Sequence, residues 1–556
     1  MKIFKEKNEL VFAFILLLLI VILKYPVLNL PYSWDAMNYV IPAAQHVYEN
    51  GFNIFLWEYG NGHPPFYFLL LGFLFKIFGN TPFVANSTIL VFSFLAVYFT
   101  YLIGKNLFNR KVGIIAAILM FFYPTFFSYS GLSYLEIPLV ALTVMSIYFF
   151  IKNNDWLYVL FSCLLVLTKE TGIFVIVALL IYEVIKDKKI NIKKNLIHAI
   201  PLILFSLWLL SNKLHYGSFL YPINATLFSF NITILFNIFI VLKSLFFDNY
   251  KWILTSFIIL SCSSSIFKNK RKIIYAIIPY LLLFFLLFNS PYLFNGLDKH
   301  FPNIINYLTI LKNFSWLFSI LFFILILSFK QLINYFNIQK AYPLYYSFLF
   351  MFILYVIFSQ FPVRYGLPSY PLIFIIFSLS LVRIFKKYSY LAFLIILALF
   401  ISVENGKSNN VGFVLENNME YVDMIKTHEM ATNYLQNNFP NSVILASYPQ
   451  SLELKYPYLG YVNKPMSIVS IPPYPGLTTK NSTIYNNPYG YNKTIDLNSI
   501  DLIYYSEQEF KTKYSRELNK ILKKNLIKRF EINGKVVEIY SIDKNYNYPN
   551  YTLPLD

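Results

Sequence analysis

Five ionisable side chains stand out in an otherwise apolar chain. They are Asp35 in "NLPYSWDAMNYV" (29–40), His63 in "GNGHPPF" (60–66), Glu136 in "GLSYLEIPLV" (131–140), Lys169 in "LTKETGIF" (167–174) and Arg364 in "FPVRYGLPSYP" (361–371). An acid held near a hydroxyl takes its proton as that oxygen attacks. A guanidinium fork binds phosphate oxygens bidentately, and an ammonium holds them as a point charge. Two acids, a His, a Lys and an Arg on one side of a membrane therefore suit group transfer from a lipid-linked phosphate. Each residue also has a plainer reading. Asp35 suits the N-cap of a helix, "SWDAMNYVIPAAQHVYENG". His63, held extended by the prolines that follow, suits a structural imidazole. Glu136 suits a solvated loop acid. Lys169 and Glu170 suit a mutually neutralised pair in a tight hairpin. What favours function is depth: ionisable groups near the bilayer are costly and are functional-site candidates by default.

The elements that must position these residues are membrane helices. The chain has 556 residues, 57% of them hydrophobic, 20% aromatic and only 13% charged. Its mean hydropathy is +0.54. A soluble globular protein carries about 25% charged residues, so this is a polytopic membrane protein. The net charge of +19 reads as topology rather than nucleic-acid binding, because Lys and Arg collect in loops that stay in the cytoplasm. Cys163 and Cys262 form no disulfide or metal pattern. The first apolar run, residues 10–28, reads as a retained span rather than a cleavable signal.

Six basic segments must face the cytoplasm together: the N-terminus, 104–113, 186–194, 268–272, 330–340 and 383–388. About thirteen crossings of membrane length satisfy this. They lie near 9–27, 85–103, 114–130, 137–151, 157–168, 172–185, 196–211, 251–267, 273–290, 313–329, 344–360, 369–384 and 389–403. The N-terminus is then cytoplasmic and residues 28–84 form one long outer loop. Within it, 66–78 is short and carries Lys76, so it reads as an interfacial helix; 218–247 is ambiguous for the same reason. Composition changes near residue 404. Residues 404–556 read as a small extracytoplasmic α/β domain, with a helix at 429–439, strands at 442–448, 501–506 and 535–542, and a basic helix at 510–527. Asn224, Asn481, Asn492 and Asn550 stand in glycosylation sequons.

At these residues the chain resembles the integral-membrane glycosyltransferases of the GT-C class, of the family 39 type. That family includes protein O-mannosyltransferases and lipid A aminoarabinose transferases. The carriers, in order, are "WDAMNYVIPAAQHVYENG", "GHPPFYFLLLGFLFKIFGNTPFVAN", "LIGKNLFNRKVGIIAAILMFFYPTFF", "YLEIPL", "LTKETG" and "RYGLPSYP". The resemblance implies a GT-C fold over 1–403 and a hexosyltransferase that uses a polyprenyl-phosphate sugar. The acceptor would be a hydroxyl of a protein, lipid or glycan, and the transfer would invert the anomer without a covalent intermediate. It implies that Asp35 is the general base, that Glu136 assists, and that Lys169, Arg364 and His63 contact the donor phosphate. Two positions depart from the pattern: Ala36 stands where many relatives have a second acid, and His63 replaces a Lys. The first departure argues against a metal site built on adjacent acids, and leaves Asp35 and Glu136 as the acids at hand for a divalent ion. The rival reading is a transporter or flippase of a lipid-linked or anionic substrate, whose charges would gather near the midplane.

Overall fold

The structure is a computed structural model. It describes residues 2–57, 59–187, 192–221, 241, 244–246, 249–266, 341–357, 363–404, 418–447, 450–471, 494–506, 522–546, 548 and 551–552. The expected spans at 273–290 and 313–329, most of 218–247 and all four sequon asparagines lie outside these residues.

Helices follow the apolar runs. Along the chain these are α1 (Lys2–Lys24), α2 (Ile41–Asn50), α3 (Phe66–Phe78), α4 (Pro82–Leu107), α5 (Arg110–Phe121), α6 (Pro124–Tyr129), α7 (Glu136–Ile151), α8 (Asp155–Val166) and α9 (Ile173–Asp187). After them come α10 (Ile192–His198), α11 (Ile200–Tyr216), α12 (Lys251–Ile266), α13 (Tyr342–Ile357), α14 (Tyr370–Phe385) and α15 (Ser389–Glu404). Every other expected span corresponds to a helix. The run 114–130 is the exception in detail. It is split into α5 and α6, because Pro124 removes a helical N–H and pushes Tyr123 into extended geometry. Among the described residues, Glu9–Val27, Pro82–Leu107 and Arg364–Val403 are long and apolar enough to cross a membrane. At 13 residues, α3 reaches ~20 Å, short of the ~30 Å hydrocarbon layer.

Local signals set the helix ends. Thr81 caps α4 by accepting from the Val84 N–H, with Pro82 in the first turn. Asn109 and Asn154 cap α5 and α8 in the same way. Polar side chains pin α1 at both ends. Near its start, Glu9 accepts from Lys105 Nζ at 2.7 Å and from Tyr101 Oη at 2.5 Å. At its far end Lys24 is fully buried, donates to the Phe127 carbonyl and sits 3.4 Å from the centre of the Phe127 ring. A buried ammonium with these partners fixes α1 against α6.

The residues after 418 form a second layer on this bundle. A helix, α16 (Glu420–Asn438), precedes a five-stranded sheet. Its strands are β1 (Val443–Ser447), β2 (Ser467–Ile471), β4 (Leu502–Ser506), β5 (Lys524–Ile532) and β6 (Lys535–Ile542), in the order β2-β1-β4-β6-β5. A short helix, α17 (Gln450–Lys455), links β1 to β2, while β3 (Thr494–Ile495) and β7 (Tyr551–Thr552) pair apart. The β1 strand pairs parallel with β2 and β4, and the other pairings are antiparallel. Side chains alternate between the two faces. Ile444, Ala446, Leu502, Tyr504, Val537 and Ile539 pack with Ala431 and Leu435 of α16, while Leu445, Ile503 and Ile542 face the other side. The expected strands are found. The expected basic helix at 510–527 is overturned at its end, where residues 524–527 belong to β5; 510–521 lie outside the described residues. Lys524 and Lys528 sit on an edge strand, where Lys discourages further pairing, and they masked its strand pattern. The layer is fused to the bundle, since Tyr421, Met424, Ile425, Leu452, Leu459 and Tyr461 join the bundle's core, and Tyr32 N–H donates to the Leu459 carbonyl at 3.1 Å.

The helix packing and the sheet each support a test. A Cβ on Gly113 would lie 2.5 Å from the Tyr101 carbonyl oxygen and 2.9 Å from the Lys105 nitrogen. These are backbone atoms and do not swing aside. Gly113→Ala gains up to ~1 kcal/mol in helix propensity but suffers ~1–3 kcal/mol of overpacking. The thermal midpoint in detergent should therefore fall; an unchanged or raised midpoint contradicts the close α4–α5 crossing. In the sheet, Asp501 accepts the Val443 N–H at 2.8 Å and faces Lys544 Nζ at 2.8 Å. Burial pushes the Asp501 carboxyl up, but Lys544 and that N–H outweigh it and hold it below its usual value of 3.8. A depressed folded value means the contribution is present above 3.8 and lost as pH falls below it. Protection of the Val443 amide, corrected for the intrinsic exchange rate at each pH, should fall below about pH 4, and Asp501→Asn should flatten that dependence.

Candidate active site

Each predicted residue sits where a helix starts or stops. Asp35 follows Trp34, which is buried with φ +42°. A bulky residue in the left-handed region costs about 1–3 kcal/mol and persists where its surroundings over-determine it. Asp35 then enters a π-helical turn, Ala36–Val40, the kind of turn frequent at functional sites. Its side chain makes no cap hydrogen bond, so the capping reading is set aside. His63 lies in the turn before α3. Glu136 is the first residue of α7. Lys169 precedes a 3₁₀ turn, Glu170–Gly172, between α8 and α9. Arg364 lies in the 3₁₀ segment Val363–Ser369 that leads into α14.

The fold brings all five together. Arg364 Nη1 stands 2.6 Å from Asp35 Oδ2, and its Nε stands 3.7 Å from Glu136 Oε1. Lys169 Nζ donates to the same Glu136 oxygen at 2.8 Å. One guanidinium therefore bridges two carboxylates, and one carboxylate bridges two cations. Glu136 and Lys169 are almost wholly buried, while Asp35 and Arg364 keep 20% and 14% of their side chains exposed. Arg364 Nε and Glu136 Oε2 are buried without a hydrogen-bond partner among the described residues, so the network holds spare bonding capacity. The Lys169 ammonium also lies 4.7 Å from the centre of the Tyr365 ring.

Two residues complete the cluster that the sequence did not single out. Tyr39 donates from its hydroxyl to Asp35 Oδ2 at 3.1 Å, and its ring packs 5.2 Å from the His63 ring. Glu170 faces His63 Nδ1 with both oxygens, at 2.8 and 3.0 Å. The expected Lys169–Glu170 pair is thereby corrected. The chain is extended at Lys169 and turns into the 3₁₀ turn at Glu170, and the two side chains go to different partners. Tyr39 gave no sequence signal, being one of 47 tyrosines. Glu170 gave one, but its neighbour was the wrong partner.

Charge at the α8–α9 turn is settled by these pairs. Burial alone weakens the Lys169 ammonium; Glu136, helped by Tyr365, outweighs it and holds Lys169 above its usual value. Burial pushes the Glu170 carboxyl up; the His63 imidazole outweighs it and holds Glu170 below its usual value. Beside the network lies a small cleft. Glu136, Lys169, Arg364 and Tyr365 form its polar end, and Leu139, Val175, Met351 and Pro368 its apolar wall. This lining, cationic at one end and apolar along the wall, suits an amphiphile with an anionic head. Among the described residues, no three His, Cys, Asp or Glu side chains are gathered as for a metal ion.

Comparison with known proteins agrees with the fold. Residues 62–216 match the family described as dolichyl-phosphate-mannose-protein mannosyltransferase. No curated protein matches in sequence. ArnT from Cupriavidus metallidurans bound to undecaprenyl phosphate superposes with a TM-score of 0.53 at 9% identity, over 95% of this chain and 98% of that one. The same ArnT in the apo state gives 0.51 at 10% identity, over 96% and 98%. In its family match and in its fold, this chain resembles the integral-membrane GT-C glycosyltransferases of the protein O-mannosyltransferase and ArnT kind.

Proposed function

We propose that this chain transfers a hexose from a polyprenyl-phosphate donor to a hydroxyl acceptor at the extracytoplasmic membrane surface. The observation that carries the reading is the bridged set Asp35–Arg364–Glu136–Lys169 at the polar end of an apolar-walled cleft. The ArnT structure of the same fold was solved with undecaprenyl phosphate bound. Here the donor's prenyl tail lies along Leu139, Val175 and Met351, and its phosphate meets Lys169 and Arg364. The acceptor oxygen forms a bond to the anomeric carbon as the bond to the phosphate oxygen breaks. The electron pair leaves with the lipid phosphate, the acceptor proton passes to Asp35, and the anomer inverts. The two cations stabilise charge that grows on the phosphate, where such donors help most. Glu136 is already engaged by Lys169 and Arg364, and it holds both cations in place. His63, steadied by Glu170, stands one aromatic ring from Asp35 and supports the donor phosphate from that side.

The basic loops support about thirteen crossings, with the N-terminus cytoplasmic. They also put residues 404–556 outside as a separate α/β domain on the 1–403 catalytic bundle, where it guides the acceptor. If a divalent ion takes part, Asp35 and Glu136 are the acids that would hold it.

Membranes supplied with a labelled polyprenyl-phosphate sugar test the base. Asp35→Asn should lower transfer about 10²–10⁴-fold with normal expression. Equal transfer by wild type and variant contradicts the role of Asp35, and sugar-lipid movement without transfer supports a transporter. The buried pair gives a second test. Lys169→Met leaves the Glu136 carboxylate facing only Arg364, and breaking such a pair costs about 3–5 kcal/mol. Adding Glu136→Gln should restore most of the thermal midpoint and none of the activity. Recovery of activity in the double variant contradicts the phosphate role of Lys169.

A further inference from the structure

The same guanidinium is asked to do two things. Arg364 Nη1 stands 2.6 Å from Asp35 Oδ2, and that oxygen also accepts from Tyr39 at 3.1 Å. An oxygen held by two donors has no free lone pair aimed at an incoming hydroxyl. Yet Arg364 is not saturated. Its Nε lies 3.7 Å from Glu136, beyond hydrogen-bond reach, and has no hydrogen-bond partner among the described residues. Arg364 also lines the cleft together with Lys169. A phosphate placed there offers the guanidinium two oxygens in the fork geometry it prefers, where Asp35 presents one already shared with Tyr39.

We infer that donor phosphate and Asp35 compete for Arg364, so that donor binding itself releases the base. This rests on the proposed transfer reaction and adds an order to it. The phosphate draws Arg364 off Oδ2. Asp35 remains held by Tyr39 alone, and its freed oxygen takes up the acceptor hydroxyl. Without donor, the base stays masked and no proton moves. Glu136 makes the exchange local: it keeps the guanidinium between the two positions, 3.7 Å from Nε, while Lys169 stays on the same Glu136 oxygen. Proton uptake is thus tied to the presence of the leaving group it must accompany, and an acceptor bound alone meets a quenched carboxylate.

A double-variant cycle on binding tests the competition without needing turnover. The affinity of polyprenyl phosphate, which carries no sugar, is measured for the full-length protein in nanodiscs. The proteins are wild type, Asp35→Asn, Arg364→Gln and the double variant. If Asp35 competes for Arg364, Asp35→Asn tightens binding about tenfold in the wild-type background, and less than about twofold once Arg364 is replaced. Equal tightening in both backgrounds overturns the inference, since that is plain repulsion between carboxylate and phosphate. No tightening in either background overturns it too. Should Arg364→Gln not be monodisperse, Arg364→Met keeps the length of the side chain and carries the same expectation. Transfer assays on Asp35→Asn keep the two readings apart. Lost transfer with no coupling leaves the base standing and removes the competition. Full transfer removes the base whatever the binding shows.

Discussion

The Arg364 guanidinium between Asp35 and Glu136 holds the site together. Charges near bilayer depth persist where each is answered by another. Asp35 and Glu136 supply two negative charges, and Arg364 and Lys169 two positive ones, so the bridged set is neutral. Lys169 and Arg364 together answer the buried Glu136 carboxylate, and Glu136 answers the buried Lys169 ammonium. Neither cation is spent on a single partner, which leaves both able to meet an anion. His63 and Glu170 form a second such pair, joined to the first through the Tyr39 ring.

The scaffold serves this geometry by delivering chain ends rather than helix middles. Asp35, His63, Glu136, Lys169 and Arg364 come from segments as much as 329 residues apart, between the positions of Asp35 and Arg364, and each sits at a helix boundary. Capped and proline-started helices fix where those boundaries fall, and close glycine packing between α4 and α5 fixes how tightly the bundle closes. At Asp35 the chain accepts a strained Trp34 and a π turn to place one carboxylate. The sheet layer adds weight over this end of the bundle, and its packing against residues 24–32 holds the segment that enters the strained turn.

Much of this was legible in the sequence, for a physical reason. In a chain with so few charges, an Asp, Glu, His, Lys or Arg beside an apolar run is conspicuous, and that is what singles out the five candidate residues. Helix positions followed from apolar run length. What could not be read were partners. Lys169 and Glu170 are neighbours along the chain, and simple proximity suggested that they neutralise each other; the 3₁₀ turn sends them to Glu136 and His63 instead. Tyr39 is invisible in a chain this rich in tyrosine. The start of the edge strand β5, residues 524–527, reads as the end of a helix because its lysine blurs the alternation that betrays β1 and β4.

The proposed chemistry stands or falls on whether Arg364 and Lys169 hold the donor phosphate beside Asp35. Solid-state NMR can measure phosphorus–nitrogen distances, with polyprenyl phosphate bound to protein carrying ¹⁵N-labelled arginine and lysine side chains. Phosphorus should lie within about 4 Å of one arginine and one lysine nitrogen. The phosphorus–arginine coupling should vanish in Arg364→Gln, and the phosphorus–lysine coupling in Lys169→Met. A phosphate bound with neither coupling, or couplings that persist in both variants, would contradict this placement of the donor.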